Sequence, residues 1–142
     1  MKFNNILVVC VGNICRSPMA EYFFKTARPE LNISSAGISG MVDYPADDKA
    51  ILCMDRLNID MREHKARKLN EQHVKQADLI LVMSSRQQQH IEKTWSFAKG
   101  KVFRLGHWRN TNIADPYQHD QAFFDEVCQL IQDSVNDWNQ RI

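Results

Sequence analysis

The chain has 142 residues, 44% hydrophobic and 25% charged, and 18 Lys and Arg against 17 Asp and Glu give a formal net charge of +1. That is the length of one domain, expected over 1–142, with too much apolar content and too little charge for disorder to be its main state. No basic excess of the kind a nucleic-acid binder carries is present, and the longest apolar stretch, Ile6 to Val11, is far short of the ~20 residues that cross a bilayer.

The N-terminus carries one lysine, Lys2, and a short apolar run soon interrupted by Gly12, Asn13 and Arg16, which makes a poor signal peptide. The expected compartment is the reducing cytoplasm, so Cys10, Cys15, Cys53 and Cys128 are expected as thiols. Asn5 to Cys10 reads as a strand buried on both faces. Ser17-Pro18 opens a helix to about Arg28, with Ser17 as cap and Pro18 at the first helical position. Leu31 to Ser35 reads as a second strand, ended by Ala36-Gly37. Pro45 to Leu57 reads as a helix with Asp47 and Asp48 at its positive end. Asn70 caps a short helix to Ala77, Leu79 to Met83 is a third strand, and Ser85 caps a helix towards Ser96. Lys101 to Leu105 is a short strand, followed by a polar loop from Gly106 to His119. The last helix spans about Asp120 to Arg141, with Phe124, Val127, Cys128, Ile131, Val135 and Trp138 on its apolar face.

Strands alternating with helices predict an α/β fold with a parallel sheet and right-handed crossovers. Such sheets bind ligands beyond the carboxyl ends of strands, where strand order reverses. If the second and third strands flank the first, that crevice follows Cys10. The loop there reads Cys10-Val11-Gly12-Asn13-Ile14-Cys15-Arg16-Ser17. Gly12 and Asn13 tolerate positive φ, which lets the backbone curl and turn its N–H groups inward. The following helix aims its positive end at the same point, and Arg16 adds a fork for two phosphate oxygens. A thiol at the base of such a cradle is expected to fall from ~8.5 into the ~3.5–7.5 range. Anion site and nucleophile then coincide, as attack on a phosphate ester requires. A Walker A loop is excluded, since no Gly-Lys-Ser/Thr is present, and no second Cys or Cys/His pair has zinc spacing.

The run from Cys10 to Glu21 resembles the phosphate-binding loop of the low-molecular-weight protein tyrosine phosphatases. Ser35-Ala36-Gly37 and Asp115-Pro116-Tyr117 also match, in order, over essentially the whole chain. The resemblance implies a four-stranded parallel sheet flanked by helices, with the phosphate-binding loop after the first strand. It implies phosphotyrosine hydrolysis through a cysteinyl-phosphate on Cys10, with Arg16 and the loop N–H groups of Val11, Gly12, Asn13, Ile14 and Cys15 holding the phosphoryl group. Asp115 is implied as general acid, a role that nearby phosphate charge would assist by raising its pKa. Neither metal nor cofactor is expected, because Arg16 and the cradle supply the positive charge.

The remaining candidates have two readings each. Tyr117 packs on the substrate ring or is a half-buried loop tyrosine, with Gln118 where many members carry a second aromatic. Met41 forms the opposite wall or serves the core. Ser17 caps the helix, bonds the Cys10 sulfur, or does both. Asn13 holds the loop's shape. Cys15 protects the nucleophile by pairing with it, as the resemblance implies, or is a small packed residue. Cys53 and Cys128 fall on apolar helix positions and read as core. The five histidines read as surface or structural, and the basic run Arg62 to Lys68 as a solvated loop or a docking face for an acidic partner. Leu105-Gly106-His107-Trp108 looks like the bacterial branch, which implies a tyrosine autokinase of polysaccharide export as the phosphotyrosine partner. The rival activities are a thioredoxin-coupled arsenate reductase, disfavoured because Met83 to Ile91 holds no relay cysteine, and a catalytically silent phosphotyrosine-binding module.

Overall fold

The structure, a computed structural model, describes residues 3–142; Met1 and Lys2, the start of the expected domain and of the N-terminal segment judged above, lie outside the described residues. Nine regular elements follow in the order β1 (Asn5–Cys10), α1 (Arg16–Ala27), β2 (Asn32–Gly37), α2 (Asp48–Asp55), α3 (Glu71–Gln76), β3 (Leu79–Val82), α4 (Ser85–Thr94), β4 (Val102–Arg104) and α5 (Gln121–Asn139). The four strands pair in parallel in the order β2-β1-β3-β4. β1 therefore lies between β2 and β3, and the reversal of strand order falls where the sequence places it, beyond Cys10.

Alternation along β1 divides the core. Ile6, Val8 and Cys10 face α1, α2 and α5, where Met19, Phe24, Met54 and Phe124 close the larger apolar layer. Leu7 and Val9 face the other way, with Ile80 and Val82 of β3, under Val74 of α3 and Ile91 of α4. All six residues expected on the apolar face of α5 are buried. Among the described residues, no helix is long and apolar enough to cross a membrane.

Several boundaries differ from the sequence reading, each for a local reason. α1 begins at Arg16, with Cys15 at the cap position and no side chain bonding its first N–H groups. Ser17 is therefore inside the helix and is not its cap. β2 continues through Gly37, which pairs with Cys10 instead of ending the strand. A Cβ on Gly37 would lie 2.6 Å from Val11 O and 2.9 Å from Asn13 N, so only glycine lets the loop after β1 come this close. Pro45 precedes α2 and sits in a bridge with Lys65, and Asp47 caps the helix by accepting from Lys49 N. Ser84, not Ser85, caps α4 by accepting from Gln87 N. Asn70 caps α3 as expected, in a capping box completed by His73.

Candidate active site

The loop after β1 is held from outside through its carbonyl groups. Cys10 O accepts from Ile38 N, Val11 O from Ser39 N and Gly40 N, and Gly12 O from Met41 N. Asn13 O is bonded to His64 Nε2 at 2.7 Å, and Ile14 O accepts from Asp47 N. Across a trans peptide the N–H points opposite to the preceding C=O. With the carbonyls of residues 11 to 14 turned outward, the N–H groups of residues 12 to 15 turn into the cradle. One of them, Asn13 N–H, donates to Cys10 Sγ at 3.3 Å. Asn13 is the residue that takes the left-handed conformation, at φ 62°; Gly12 does not use that freedom. Gly12 instead makes room for Met41, whose Sδ would be 3.3 Å from a Cβ placed there.

A buried hydrogen-bond chain fixes which way the Ser17 proton points. Arg67 backbone N–H donates to Asn13 Oδ1 at 3.0 Å, which sets the orientation of the Asn13 amide. Its Nδ2 then donates to both Ser17 Oγ, at 2.8 Å, and Ser35 Oγ, at 2.9 Å. The Ser35 hydroxyl in turn donates to Glu21 Oε1. Ser17 Oγ has received its hydrogen bond, so its hydroxyl proton is left for Cys10 Sγ, 2.9 Å away. The thiol sulfur thus has two donors aimed at it. Cys15 differs: burial first, then the charge of Asp47, pushes its thiol far above the ordinary thiol range.

Arg16 is buried at 5% exposure and holds the late loop against the cradle. Its Nη1 donates to Ile113 O at 2.8 Å, and its Nη2 lies 3.5 Å from Asp115 Oδ2. Asp115 Oδ1 accepts from Tyr117 N at 3.1 Å, and Gln118 takes a left-handed φ of 68° as the loop turns back. These parts enclose a cleft of about 130 Å³ lined by Cys10, Val11, Gly12, Ile14, Cys15, Arg16, Ser39, Met41, Asp115 and Tyr117. Nine of the eleven expected site residues line it, and the other two, Asn13 and Ser17, lie beneath in the hydrogen-bond chain. A larger cleft of about 380 Å³, between the start of β1 and α3, is lined by no cysteine and no carboxylate.

The buttress under the loop has no signature in the sequence. His64 is buried against the loop, while Arg67 bonds Asn13 through its N–H and Ser35 O through its Nε at 2.8 Å. The run Arg62 to Lys68 is therefore partly structural, not a merely solvated loop. Ser35 and Glu21 fall within the segments that carry the resemblance, but nothing in the sequence marks Ser39.

Residues 5–142 match the sequence profile of the family described as low molecular weight phosphotyrosine protein phosphatase. The chain belongs to this family. It is 68% identical over 142 residues, all of both chains, to the low molecular weight protein-tyrosine-phosphatase Ptp of Acinetobacter johnsonii. It is 41% identical over 144 residues to the low molecular weight protein-tyrosine-phosphatase Wzb of Escherichia coli, covering 99% of this chain and 96% of the relative. The crystal structure of the Erwinia amylovora tyrosine phosphatase AmsI superposes with a TM-score of 0.96 at 35% identity, covering 99% of this chain and 94% of that one. Helices on both faces of a four-stranded parallel sheet are thus the low molecular weight phosphatase architecture, as the motif implied.

Proposed function

We propose that this chain hydrolyses protein phosphotyrosine through a cysteinyl-phosphate on Cys10. The observation that carries the reading is one cleft in which a thiol with two donors aimed at it faces a buried arginine and a carboxylate. A phosphoryl group entering the cradle meets the inward N–H groups and Arg16, which exchanges its Asp115 partner for equatorial oxygens. As substrate enters, the Cys10 proton passes to Asp115, and the Cys10 thiolate attacks phosphorus in line as the phosphorus–phenolic oxygen bond breaks. Asp115 gives its proton to the departing phenolate, help worth ~10²–10⁴ in rate. Water then attacks phosphorus, Asp115 takes a proton from it, and the sulfur–phosphorus bond breaks. The Ser17 hydroxyl donates to the released thiolate. Met41 and Tyr117 form the walls against which the substrate ring packs.

The positive charge comes from Arg16 and the cradle, so hydrolysis is expected to persist in EDTA. The purified chain should release phosphate from a phosphotyrosine peptide and spare a phosphoserine peptide. Cys10→Ser should abolish turnover yet still bind the peptide. No hydrolysis under reducing conditions, or turnover that survives Cys10→Ser, overturns the reading.

The finer substrate is an autophosphorylated tyrosine kinase of polysaccharide export, met in the cytoplasm. Its support is the similarity of the segment Leu105 to Trp108 to the bacterial branch, together with the bacterial relatives above. Dephosphorylation of such a kinase domain, faster than of an unrelated phosphotyrosine protein, tests it.

A further inference from the structure

Two thiols take no part in this chemistry. Cys53 on α2 and Cys128 on α5 are both reduced and buried where these helices pack. The side chains that hold Cys53 show where it meets α5. Its Sγ donates to Asp125 Oδ1 at 3.1 Å and accepts from Gln121 Nε2 at 3.3 Å. Gln121, Asp125 and Cys128 succeed one another at i, i+4 and i+7, so they share one stripe of the helix. Met54, beside Cys53, brings its Sδ to 4.0 Å from Cys128 Sγ. Cys53 and Cys128 thus lie against the same stretch of the interface. Both line a solvent-facing cleft of about 240 Å³ together with Arg56 and Gln129, wide enough for a small oxidant.

The two thiols are unequal. The neighbouring Cys128 thiol, then burial and the Asp125 carboxylate, push the Cys53 thiol far up. The nearby Cys53 thiol draws Cys128 below the ordinary thiol range, against its burial. Cys128 is thus the readier thiolate, and Cys53 keeps its proton on Asp125.

We propose that Cys53 and Cys128 are a second redox dithiol, separate from the Cys10 and Cys15 loop, which hydrogen peroxide converts to a disulfide joining α2 to α5. The Cys128 thiolate attacks one peroxide oxygen, the O–O bond breaks, and Cys128 sulfenic acid and hydroxide result. Cys53 sulfur then attacks the Cys128 sulfur and the S–O bond breaks. The Cys53 proton passes by way of Asp125 to the departing hydroxide, giving water. The hydroxide of the first step takes up the proton that Cys128 had released. Two thiols and one peroxide yield one disulfide and two waters, and the two electrons pass to the peroxide.

Trypsin separates the two sites, leaving Cys53 in Ala50–Arg56 and Cys128 in Asn110–Arg141. The whole protein is treated with peroxide, its remaining thiols are blocked with N-ethylmaleimide in denaturant, and it is digested without reductant for mass spectrometry. The expected product joins these two peptides, is two hydrogens lighter than their sum, and disappears on treatment with dithiothreitol. It should form equally in a Cys10→Ser, Cys15→Ser double variant, and Cys128→Ser should return Cys53 as its maleimide adduct. Blocked Cys53 and Cys128 in the unaltered chain, at peroxide doses that fully oxidise Cys10, overturn the proposal. So does sulfinic acid at either position without the joined peptide, or a joined peptide that is lost in the double variant. The readout is mass, so it stands whether or not the chain proves to be a phosphatase.

Discussion

Asp115 has two effects on an anion in the cleft, and they oppose each other. It is the proposed acid, and it is also the carboxylate that Arg16 faces at 3.5 Å before any phosphate arrives. Replacing it by asparagine removes the proton donor and the competing charge together. Asp115→Asn should lower kcat on a substrate with a poor leaving group by ~10²–10⁴. The same variant should bind inorganic phosphate more tightly, by a factor of about 1.5–5, the ~0.2–1 kcal/mol expected of a half-exposed pair. Inhibition by phosphate, measured on both proteins, checks the second effect. Asn13 separates conformation from hydrogen bonding in the same way. Removal of its amide leaves Arg67 N–H, Ser17 and Ser35 without their partner, at a cost of about 1–3 kcal/mol. Asn13→Ala carries a further penalty of about 1 kcal/mol for a methyl group at φ 62°, which Asn13→Gly avoids. Urea midpoints should therefore rank the original chain above Asn13→Gly and Asn13→Ala lowest.

At the level of single elements, α3 carries a pH dependence. Its capping box needs His73 Nδ1 as acceptor for Asn70 N–H, which only the neutral ring provides. Burial first, and then the charge of Arg67, holds His73 below the ordinary histidine value. The native state thus favours the neutral ring. Its contribution to stability is present above the unfolded value, ~6.5, and is lost as pH falls through the lower folded value. Thermal melts at pH 7.5 and 5.5 should show a smaller drop in His73→Gln, since glutamine serves at this position of a capping box without titrating. The elements also show what a sequence can display. β1, α5 and the run from Cys10 to Arg16 were legible because their signals are contiguous: an apolar stretch, a helical period, a thiol and a guanidinium six positions apart. Ser17 was misplaced as a cap because a serine before a proline has the same local signature whether it serves a helix or a thiol. The two adjacent serines at 84 and 85 look alike until one of them bonds Gln87 N. His64 and Arg67 were hidden for a different reason. They reach Asn13 from 51 and 54 residues away, and nothing in their own neighbourhood marks that contact.

For the whole molecule, the consequence lies in the carbonyl groups of the loop after β1. Five consecutive residues, Cys10 to Ile14, are each tied through that atom to another part of the chain: the segment that follows β2, the cap of α2, and His64. The loop has no local stability to lose on its own; it can melt only when its surroundings melt. Catalytic competence and global folding are then one cooperative transition. In increasing urea, residual activity and the fluorescence of Trp95, Trp108 and Trp138 should fall with a common midpoint. An activity loss well ahead of the fluorescence change would show instead a cradle that frays separately. A cell that reads activity from this protein is, on this account, also reading the fraction of it that is folded.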